Sequence, residues 1–396
     1  MDLVHLRHRR DHIRAFTLTL RRHRLSNIQT CQQNTAFPCA CAASSQALHH
    51  LRHIVLHHQT RSATTVYPQS RQVYHMHNAI YWIELIAFII ALLALSLGVT
   101  RILGTIRLPA GAVVVVTGGS RGLGLAIASR FAKSHPVRLV LTSRHMDELE
   151  QAKTTLLARH PHLKPEDIHL VAADLAQPTE CQRLIADSLA CFGRIDVLIN
   201  NAAIIEVGPA ELLPATSFEQ AMQINFFAAF HTTWAALPHL LKQQPLVGSR
   251  RAAIVNIASI GGKMAVPHML PYTAAKFALV GFSEGLHTEL HAKDVLVTTV
   301  CPGLMRTGGE AHAKFVGNVE AERRWFMFAA TKPVITTTAT HAANKIYRAI
   351  ELNRAEITIT PQAWFAARIA GLMPETIQFA NALTNRFILP KAPVDD

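Results

Sequence analysis

The first 75 residues of this 396-residue chain contain no lysine and no glutamate. They hold ten arginines, ten of the 23 histidines and only two aspartates, so they carry +8 of the net charge of +13. The rest of the chain is only weakly basic, and we expect no nucleic-acid partner for the folded part. Because the segment shows no sustained hydrophobic periodicity, residues 1–75 are predicted to be a basic, unstructured N-terminal segment.

Three interpretations of residues 1–75 remain open. An arginine-rich, acid-poor composition is typical of an organellar transit peptide. A disordered basic arm has a similar composition. The third interpretation is that the working protein begins at Met76 and that the preceding stretch does not belong to it. The complete absence of lysine beside so many arginines and histidines favours the third interpretation.

The chain lacks the residue spacings of disulfide frameworks and zinc sites. The six cysteines occupy positions 31, 39, 41, 181, 191 and 301, which is not the pattern of a disulfide-rich domain. Cys39 and Cys41 lie near many histidines, but their spacing does not match a zinc site. His287 and His291 form an H-x-E-x-H pattern, whereas zinc proteases need H-E-x-x-H. We therefore expect no bound metal.

A long hydrophobic run follows the basic segment. From Leu85 to Val99 there is no charged residue and only one polar side chain, a serine. About 20 apolar residues are enough for a helix to cross the hydrocarbon core, and Tyr81 and Arg101 flank the run as interfacial residues do. Residues 76–104 are thus predicted to be a single-pass transmembrane anchor, with the lipid bilayer as partner. A buried soluble helix and a cleavable signal peptide are the alternatives, but no convincing cleavage site is present.

A strand, a glycine-rich turn and a helix pattern come next, in that order. Residues 113–116 are an unbroken run of valine, typical of a strand buried on both faces. Thr117, Gly118, Gly122 and Gly124 follow at T-G-x-x-x-G-x-G spacing and lead into an apolar-periodic helix. The glycines let the backbone approach a pyrophosphate, and the helix N-terminus favours negative charge. This order predicts a dinucleotide-binding site.

Two arginines indicate which dinucleotide binds. A second strand begins at Val137 and ends with Thr142, Ser143 and Arg144. An acidic residue at this strand end would bind a ribose 2′-hydroxyl, whereas arginine suits a 2′-phosphate. Arg121, inside the glycine turn, adds a second cation. The predicted cofactor is therefore NADP(H) rather than NAD(H); two solvated surface arginines are the alternative.

Strands and helices continue to alternate along the chain. The later predicted strands end at Asp174, at Asn200 and Asn201, and at Ser259, and a sixth strand runs into the turn PGLMRT. Such alternation implies a parallel sheet with right-handed crossovers, which binds ligands at the carboxyl ends of its strands. The predicted fold class is α/β, a doubly wound parallel sheet (Rossmann fold) over residues 110–316.

Tyr272 and Lys276 lie four residues apart at the start of an otherwise apolar helix. One helical turn places the phenol and the ammonium on the same face. A free tyrosine has a pKa of about 10, and a neighbouring ammonium stabilises the phenolate and lowers that pKa. The pair therefore indicates a proton donor for the alkoxide that forms when a hydride reduces a carbonyl.

These ordered motifs resemble the short-chain dehydrogenase/reductase family from about Ala112 to Thr307. The resemblance rests on the motifs TGGSRGLG, NNAA, YTAAK and PGLMRT, together with Asp174, Asn225 and Ser259 between them. It implies four catalytic residues, namely Asn225, Ser259, Tyr272 and Lys276. Ser259 would hold the substrate oxygen, and Asn225 would hold a water in a proton relay toward Lys276.

The glycine turn, the strand ends and the resemblance together predict a set of cofactor-binding residues. They are Thr117, Gly118, Ser120, Arg121, Gly122, Leu123, Gly124, Arg144, Asp174, Leu175, Asn201, Ala202, Tyr272, Lys276, Pro302, Gly303 and Thr307. Two positions depart from the family pattern: Ala203 stands where a glycine is usual, and Ala258 stands where a second serine is common. Neither departure removes a catalytic group.

The resemblance implies that the segment after the PG turn covers the substrate, and residues 317–396 are predicted to be an apolar helical, substrate-covering and membrane-proximal region. Residues 310–358 have a mixed helical pattern. Arg368, Glu375 and Arg386 interrupt the apolar pattern that follows, so a second membrane span is not expected. A helix lying on the membrane or lining an apolar substrate entrance fits better. A contact within a homodimer is the alternative.

The expected function is NADPH-dependent reduction of a lipid-like ketone or aldehyde, with Tyr272 as the general acid. Two alternatives stay open. The same site could run toward alcohol oxidation, as in steroid and retinol dehydrogenases of the family that the motifs resemble. The chain could also be a non-catalytic NADP-binding scaffold that retains the fold.

Overall fold

The computed structural model describes residues 81–92, 108–134, 136–245, 250–332 and 336–392. Residues 81–92 form helix α1, whose large apolar side chains, Trp82 and Phe88 among them, are exposed. Within the described ranges no helix is both long and apolar enough to cross a membrane. The predicted basic segment lies wholly outside these ranges and the predicted anchor largely so, and both stay predictions.

A seven-stranded parallel sheet forms the centre of the structure from residue 108 onward. Its strands are β1 Ala112–Thr117, β2 Val137–Ser143, β3 Ile168–Ala172, β4 Val197–Asn200, β6 Ala252–Ile257, β7 Val295–Pro302 and β11 Glu356–Ile359. The order across the sheet is β11-β7-β6-β4-β1-β2-β3, and every neighbouring pair is parallel. The order reverses beside β1, and open α/β sheets bind ligands in the crevice at such a point.

Two small parallel pairs lie outside this sheet. The first joins β5 Glu206–Val207 to β9 Lys314–Phe315, and the second joins β8 Met305–Arg306 to β10 Thr337–Thr338. Both pairs connect the loops that follow β4 and β7 with the C-terminal part of the chain. They therefore hold the segment after β7 beside the carboxyl ends of the central strands.

Helices cover both faces of the sheet because the side chains of a strand alternate between the faces. Val114 and Val116 belong to the apolar cluster on one face, and Val115 belongs to the cluster on the other. The helices are α2 Gly122–Ser134, α3 Met146–Arg159, α4 Pro178–Phe192, α5 Ala215–Met222, α6 Ala228–Lys242, α7 Leu270–Leu290, α8 Val319–Thr331, α9 Ala339–Glu351, α10 Pro361–Leu372 and α11 Pro374–Phe387. The first face packs against α2, α3 and α9, and the second against α4, α6 and α7. The predicted doubly wound sheet is thus confirmed.

A buried chain of polar side chains runs across the middle of the sheet and is called here the central polar chain. Asn200 Nδ2 on β4 donates to Thr233 Oγ1 on α6 (2.9 Å) and to Asn256 Oδ1 on β6 (2.8 Å). Asn256 Nδ2 donates to Ser283 Oγ on α7 (3.0 Å), which also accepts from Thr299 Oγ1 on β7 (2.8 Å). All five side chains are buried. Because each finds a partner, the chain fixes α6 and α7 against the sheet without leaving a buried polar group unpaired.

The helix predicted around Phe218–Leu241 is divided by an irregular turn. Helix α5 passes into a π-helical turn, Gln223–Phe227, which continues directly into α6. A π turn adds a residue to the helical repeat and frees backbone groups from their usual i to i−4 partners. Asn225 lies inside this turn and is fully buried. The extra residue explains why a simple 3.6-residue pattern missed the break.

The seventh strand was not predicted, because residues 310–358 were interpreted as mixed helix. Strand β11 pairs with β7 at the edge of the sheet, and its first three residues, 356–358, fall inside that segment. It is only four residues long and three of the four are only partly buried, so it lacks the apolar run of β1. The sheet therefore extends beyond residue 316, the predicted end of the Rossmann domain.

Candidate active site

The turn between β1 and α2 requires glycine at three positions for two different reasons. Gly118 and Gly122 have φ angles of +62° and +55°, in the region that side chains with a Cβ rarely adopt. Gly124 is needed for space, because a Cβ there would lie 2.1 Å from the Gly118 carbonyl oxygen. The turn thereby presents a bare backbone at the N-terminus of α2, which is the arrangement that binds phosphate groups.

Thr117 and Asn201 tie this turn to the end of β4. The Thr117 hydroxyl accepts hydrogen bonds from the backbone N–H groups of Asn201 (2.8 Å) and Ala202 (3.0 Å). Asn201 Nδ2 in turn donates to the carbonyl oxygens of Thr117 (2.9 Å) and Gly118 (3.2 Å). Thr117 was predicted to bind cofactor, but its side chain acts within the protein and holds two strand ends together.

A cavity of about 340 Å³ opens over these strand ends. Of the residues predicted to bind cofactor, it is lined by Gly118, Ser120, Arg121, Gly122, Leu123, Arg144, Asp174, Leu175, Asn201, Ala202, Tyr272, Lys276 and Thr307. The glycine turn, the arginine after β2 and the tyrosine of α7 therefore share one cavity. The set fits a nicotinamide dinucleotide, because the turn bares backbone for a pyrophosphate and leaves cations at one side and a proton donor at another.

Four predicted cofactor residues do not line the cavity. Besides Thr117, Gly124 serves the close packing of the turn, and Pro302 ends the buried strand β7. Gly303 packs against the start of α10, where an added Cβ would lie 2.6 Å from Thr360 Oγ1. Its N–H donates to the Ile359 carbonyl oxygen (3.0 Å). The PG turn therefore needs a glycine because β11 and the start of α10 leave no room for a side chain at this position. Neither contact was predicted from the sequence.

Tyr272 and Lys276 line the cavity, and Ser259 lies beside Tyr272 without lining the cavity itself. Ser259 follows β6, and its Oγ accepts from the Gly261 N–H (3.0 Å). The Ser259 Oγ and the Tyr272 ring lie 3.5 Å and 3.4 Å from the place where a Cβ on Gly261 would stand, so both flank this glycine. Lys276 Nζ lies 5.6 Å from the centroid of the Tyr272 ring and donates to the Ile257 carbonyl oxygen (2.8 Å). The predicted one-turn spacing of phenol and ammonium is thus realised.

Burial shifts the pKa values of Tyr272 and Lys276 in the directions that favour the neutral phenol and the neutral amine. Desolvation raises the pKa of Tyr272, and its hydrogen bond with Ser259 offsets part of that increase. Desolvation lowers the pKa of Lys276 to about 7. From the sequence, we expected the ammonium of Lys276 to lower the pKa of the Tyr272 phenol. In this structure burial is the larger effect, and Tyr272 is held as a protonated phenol at neutral pH.

Asn225 is close to the site, but its side chain is already engaged. Its Oδ1 accepts from the Ile204 N–H (2.7 Å), and its Nδ2 donates to the Ile204 carbonyl oxygen (3.0 Å). The side chain therefore fixes the loop after β4, and Ile204 lines the cavity. A relay role for Asn225 would have to use its backbone, which the π turn releases from regular helical bonding.

Several lining residues were not predicted. Glu148 and His145 border the cavity beside Arg144, and Ile204, Ile224 and Met305 add apolar surface. Glu148 lies in the first turn of α3, where acidic residues are common for helix-dipole reasons alone, so its position carries no special signal. The apolar residues belong to loops whose course depends on the tertiary fold.

Apolar residues also surround Tyr272 on the side away from the glycine turn. A small core of Val207, Met269 and Phe326 is almost completely buried there, and Tyr272 packs against it. Behind it, the ring nitrogens of His268 lie 2.8 Å from Glu322 Oε1 of α8 and 2.9 Å from Asn385 Oδ1 of α11. The C-terminal helices are therefore attached to the loop that leads directly into α7.

Comparison with known proteins agrees with this geometry. The family model described as short chain dehydrogenase matches residues 112–314, just over half of the 396-residue chain. The chain belongs to the short-chain dehydrogenase family. The fold of this family binds a nicotinamide cofactor, as the NAD in one of the solved structures described below illustrates.

This short-chain dehydrogenase is similar to several curated proteins. Dehydrogenase/reductase SDR family member 7B of Bos taurus is 34% identical over 197 residues, which cover 50% of this chain and 58% of the relative. The 7-like protein of that family from Anopheles gambiae is 32% identical over 197 residues, covering 50% and 60%. 11-beta-hydroxysteroid dehydrogenase-like 4A of Arabidopsis thaliana is 33% identical over 207 residues, covering 50% and 62%. The chain therefore spans about three fifths of the length of these relatives.

Solved structures share the fold. A short-chain dehydrogenase/reductase from Burkholderia phymatum, in complex with NAD, superimposes with a TM-score of 0.60 at 25% identity, covering 72% of this chain and 99% of that one. A short-chain dehydrogenase from Streptomyces avermitilis gives a TM-score of 0.57 at 25% identity, covering 70% and 99%. The NAD in the Burkholderia phymatum structure supports the cofactor-binding interpretation of the cavity, and the Streptomyces avermitilis structure shows the same fold.

The burial of Lys276 predicts a pH dependence of stability. Its pKa is about 7 in the folded protein against an ordinary value of 10.5, so between these values the unfolded chain binds more protons and folding becomes more favourable as pH rises. We expect the wild type to gain roughly 3 to 5 kcal/mol relative to Lys276→Met between pH 7 and pH 10. Denaturant unfolding at several pH values measures this difference. Lys345→Met, at an exposed position on α9, is the control. A pH-independent difference would contradict the assignment.

Proposed function

We propose that this short-chain dehydrogenase reduces apolar ketones or aldehydes with NADPH. The observation that carries the proposal is the placement of Tyr272, beside Ser259 and Lys276, in the same cavity as the glycine turn. When bound, the nicotinamide supplies a hydride for the carbonyl carbon. The protein must then supply a proton and hold the substrate oxygen.

The proton comes from Tyr272 in this proposal. Because burial raises its pKa, the phenol stays protonated at neutral pH and can act as a general acid. The Ser259 hydroxyl lies beside it and orients the carbonyl oxygen. Lys276, with a pKa of about 7, can carry a proton or release it near neutral pH, so it supports the return of a proton to the phenol. Asn225 contributes by fixing the loop of Ile204.

The preference for NADPH rests on two cations at one side of the cavity. Arg144 follows β2 and Arg121 belongs to the glycine turn, and both line the cavity. A 2′-phosphate would find charge-assisted partners there that a 2′-hydroxyl does not need. The Burkholderia phymatum structure holds NAD, so membership of the family does not by itself decide between the two dinucleotides.

The proposal of an apolar substrate is supported by the surroundings of Tyr272. Ile204, Ile205 and Met305 line the cavity, and the buried core of Val207, Met269 and Phe326 lies behind the tyrosine. A polar metabolite would lose hydrogen bonds to water there without finding partners, whereas an apolar chain gains from leaving water.

We further propose that the protein works at a membrane. Helices α10 and α11 expose Phe365, Leu372, Phe379 and Phe387, an apolar surface of the kind that enters the headgroup region of a bilayer. Arginines on the same helices lie over aromatic rings, Arg368 over Trp364 among them. An N-terminal anchor within residues 76–104 would add a second attachment. A homodimer through α10 and α11 is the competing explanation.

A second candidate function is oxidation of a hydroxysteroid-like alcohol at the same site. The similarity to the Arabidopsis thaliana 11-beta-hydroxysteroid dehydrogenase-like proteins favours it. The direction of the reaction depends on whether the reduced or the oxidised form of the cofactor is supplied. A scaffold that binds cofactor without turnover is the third reading.

Tyr272→Phe tests the catalytic proposal. We expect kcat to fall at least about 100-fold, because only the proton donor is removed. NADPH binding, followed by fluorescence titration, should stay close to wild type. Tyr347→Phe is the matched control, since it removes a phenol hydroxyl from the core between α9 and α2 and leaves the cavity untouched. A Tyr272→Phe enzyme with nearly normal turnover would favour the scaffold.

Arg144→Asp tests the preference for NADPH. We expect the Kd of NADPH to rise about tenfold or more and that of NADH to change little, because only the 2′-phosphate loses a partner and gains a repulsive neighbour. Arg348→Asp on α9 makes the same charge change at an exposed position away from the cavity and serves as control. An unchanged NADPH affinity in Arg144→Asp would remove the basis for the 2′-phosphate assignment.

A homologous series of ketones tests the apolar-substrate proposal. Each methylene that enters the apolar region can contribute up to ~0.8 kcal/mol, nearly a factor of four in kcat/KM. We expect kcat/KM, obtained for each ketone by varying its concentration at one fixed detergent concentration, to rise with chain length. A flat or falling series would refute the lipid-like substrate and leave the membrane attachment as a matter of localisation.

A further inference from the structure

Glu148 joins helix α3 to the glycine turn through contacts that play no part in the proposed binding of the cofactor. Its Oε1 accepts from Arg121 NH1 at 2.7 Å, and its Oε2 accepts from Ser120 Oγ at 2.9 Å. Both carboxylate oxygens therefore bind the turn. Glu148 also lines the cavity, on the side where Arg144 stands.

This contact makes the two arginines unequal. Arg121 forms an ion pair with Glu148, whereas Arg144 takes part in no ion pair within the part of the chain that the structure describes. The Arg121 side chain is about half exposed, so its ion pair is open to competition from another anion. An incoming phosphate can bind Arg144 directly, but it must share Arg121 with a carboxylate already in place.

The competition acts only on nucleotides that carry a 2′-phosphate. Such a group holds between one and two negative charges at neutral pH, and bringing it to Arg121 places it near the Glu148 carboxylate. Like charges at such distances disfavour one another. A ribose with a free 2′-hydroxyl brings no charge to this end of the cavity, and a carboxylate can accept a hydrogen bond from that hydroxyl.

We propose that Glu148 is a specificity-determining residue, which limits the preference for 2′-phosphorylated nucleotides by competing for Arg121. The proposal rests on the proposed binding of NADP(H) in this cavity. It differs from a purely structural role, in which Glu148 would only hold the turn in shape. Loss of a structural tether would weaken nucleotides with and without the 2′-phosphate alike.

Calorimetric titration of the 396-residue chain tests the proposal with two probes. Adenosine 2′,5′-bisphosphate and adenosine 5′-monophosphate differ only in the 2′-phosphate, and the measured quantity is the ratio of their affinities. We expect Glu148→Gln to raise this ratio about tenfold, because the charge is removed while a side chain of the same size remains. Glu150→Gln, on the exposed side of the same helix, should leave the ratio unchanged.

A second background shows whether Arg121 transmits the effect. In Arg121→Gln the additional change Glu148→Gln should alter the affinity ratio much less than it does in the wild type. The reason is that the arginine for which Glu148 and the 2′-phosphate compete is then absent. Thermal unfolding of each variant checks that the turn is still folded. The same ratio measured with NADPH and NADH extends the result to the whole cofactor.

The outcomes separate this inference from the NADP(H) proposal. If Glu148→Gln leaves the ratio unchanged or lowers it, or weakens both probes equally, Glu148 is a structural tether and the inference is wrong. If the wild type binds the monophosphate more tightly and Arg144→Asp changes nothing, the NADP(H) proposal is wrong. The shift of the ratio between wild type and Glu148→Gln decides the role of Glu148 in either case.

Discussion

The central polar chain is the constraint on which the site depends. Asn200 at the end of β4, Asn256 in β6 and Ser283 in α7 are joined by hydrogen bonds in the buried interior, where an unpaired amide is costly. Sliding α7 along the sheet would break these bonds together. The position of Tyr272, eleven residues before Ser283 on the same helix, is therefore fixed relative to the loop that follows Asn200. One buried network thus sets both the nucleotide end and the proton-donor end of the cavity.

The chemistry of the site works against the stability of the helix that carries it. Lys276 is almost completely buried, and its ammonium donates to the Ile257 backbone carbonyl. Desolvation of a charge in such a place disfavours the folded state. The network around Ser283 and the apolar packing of α7 offset that cost. A buried ionisable group whose charged form is disfavoured by desolvation is typical of sites at which proton transfer takes place.

Much of the fold was predictable because its signals are local. The valine run of β1, the glycine spacing and the strand-end polar residues each depend on a few neighbouring positions, and the tyrosine and lysine needed only helical geometry. Strand β11 gave no such signal, since its pairing with β7 compensates for a short and partly polar sequence. The roles of Gly303 and Asn225 were also out of reach, because each depends on contacts with residues far away in the chain or in an irregular loop. The ion pair of Glu148 likewise required the orientation of α3 against the turn.

The place of β11 in the chain has a consequence for the segment that precedes it. The segment between β7 and β11 includes α8, which contacts His268. Its two ends continue into β7 and β11, which are adjacent strands of one sheet. The entropy of closing such a segment grows only slowly with its length. The loops around α8 can thus be lengthened, shortened or changed in sequence at little cost in closure entropy, whereas α9 packs in the core against α2 and has to be kept. Engineering of a new substrate pocket would begin in those loops, with the two strands left as fixed points of attachment.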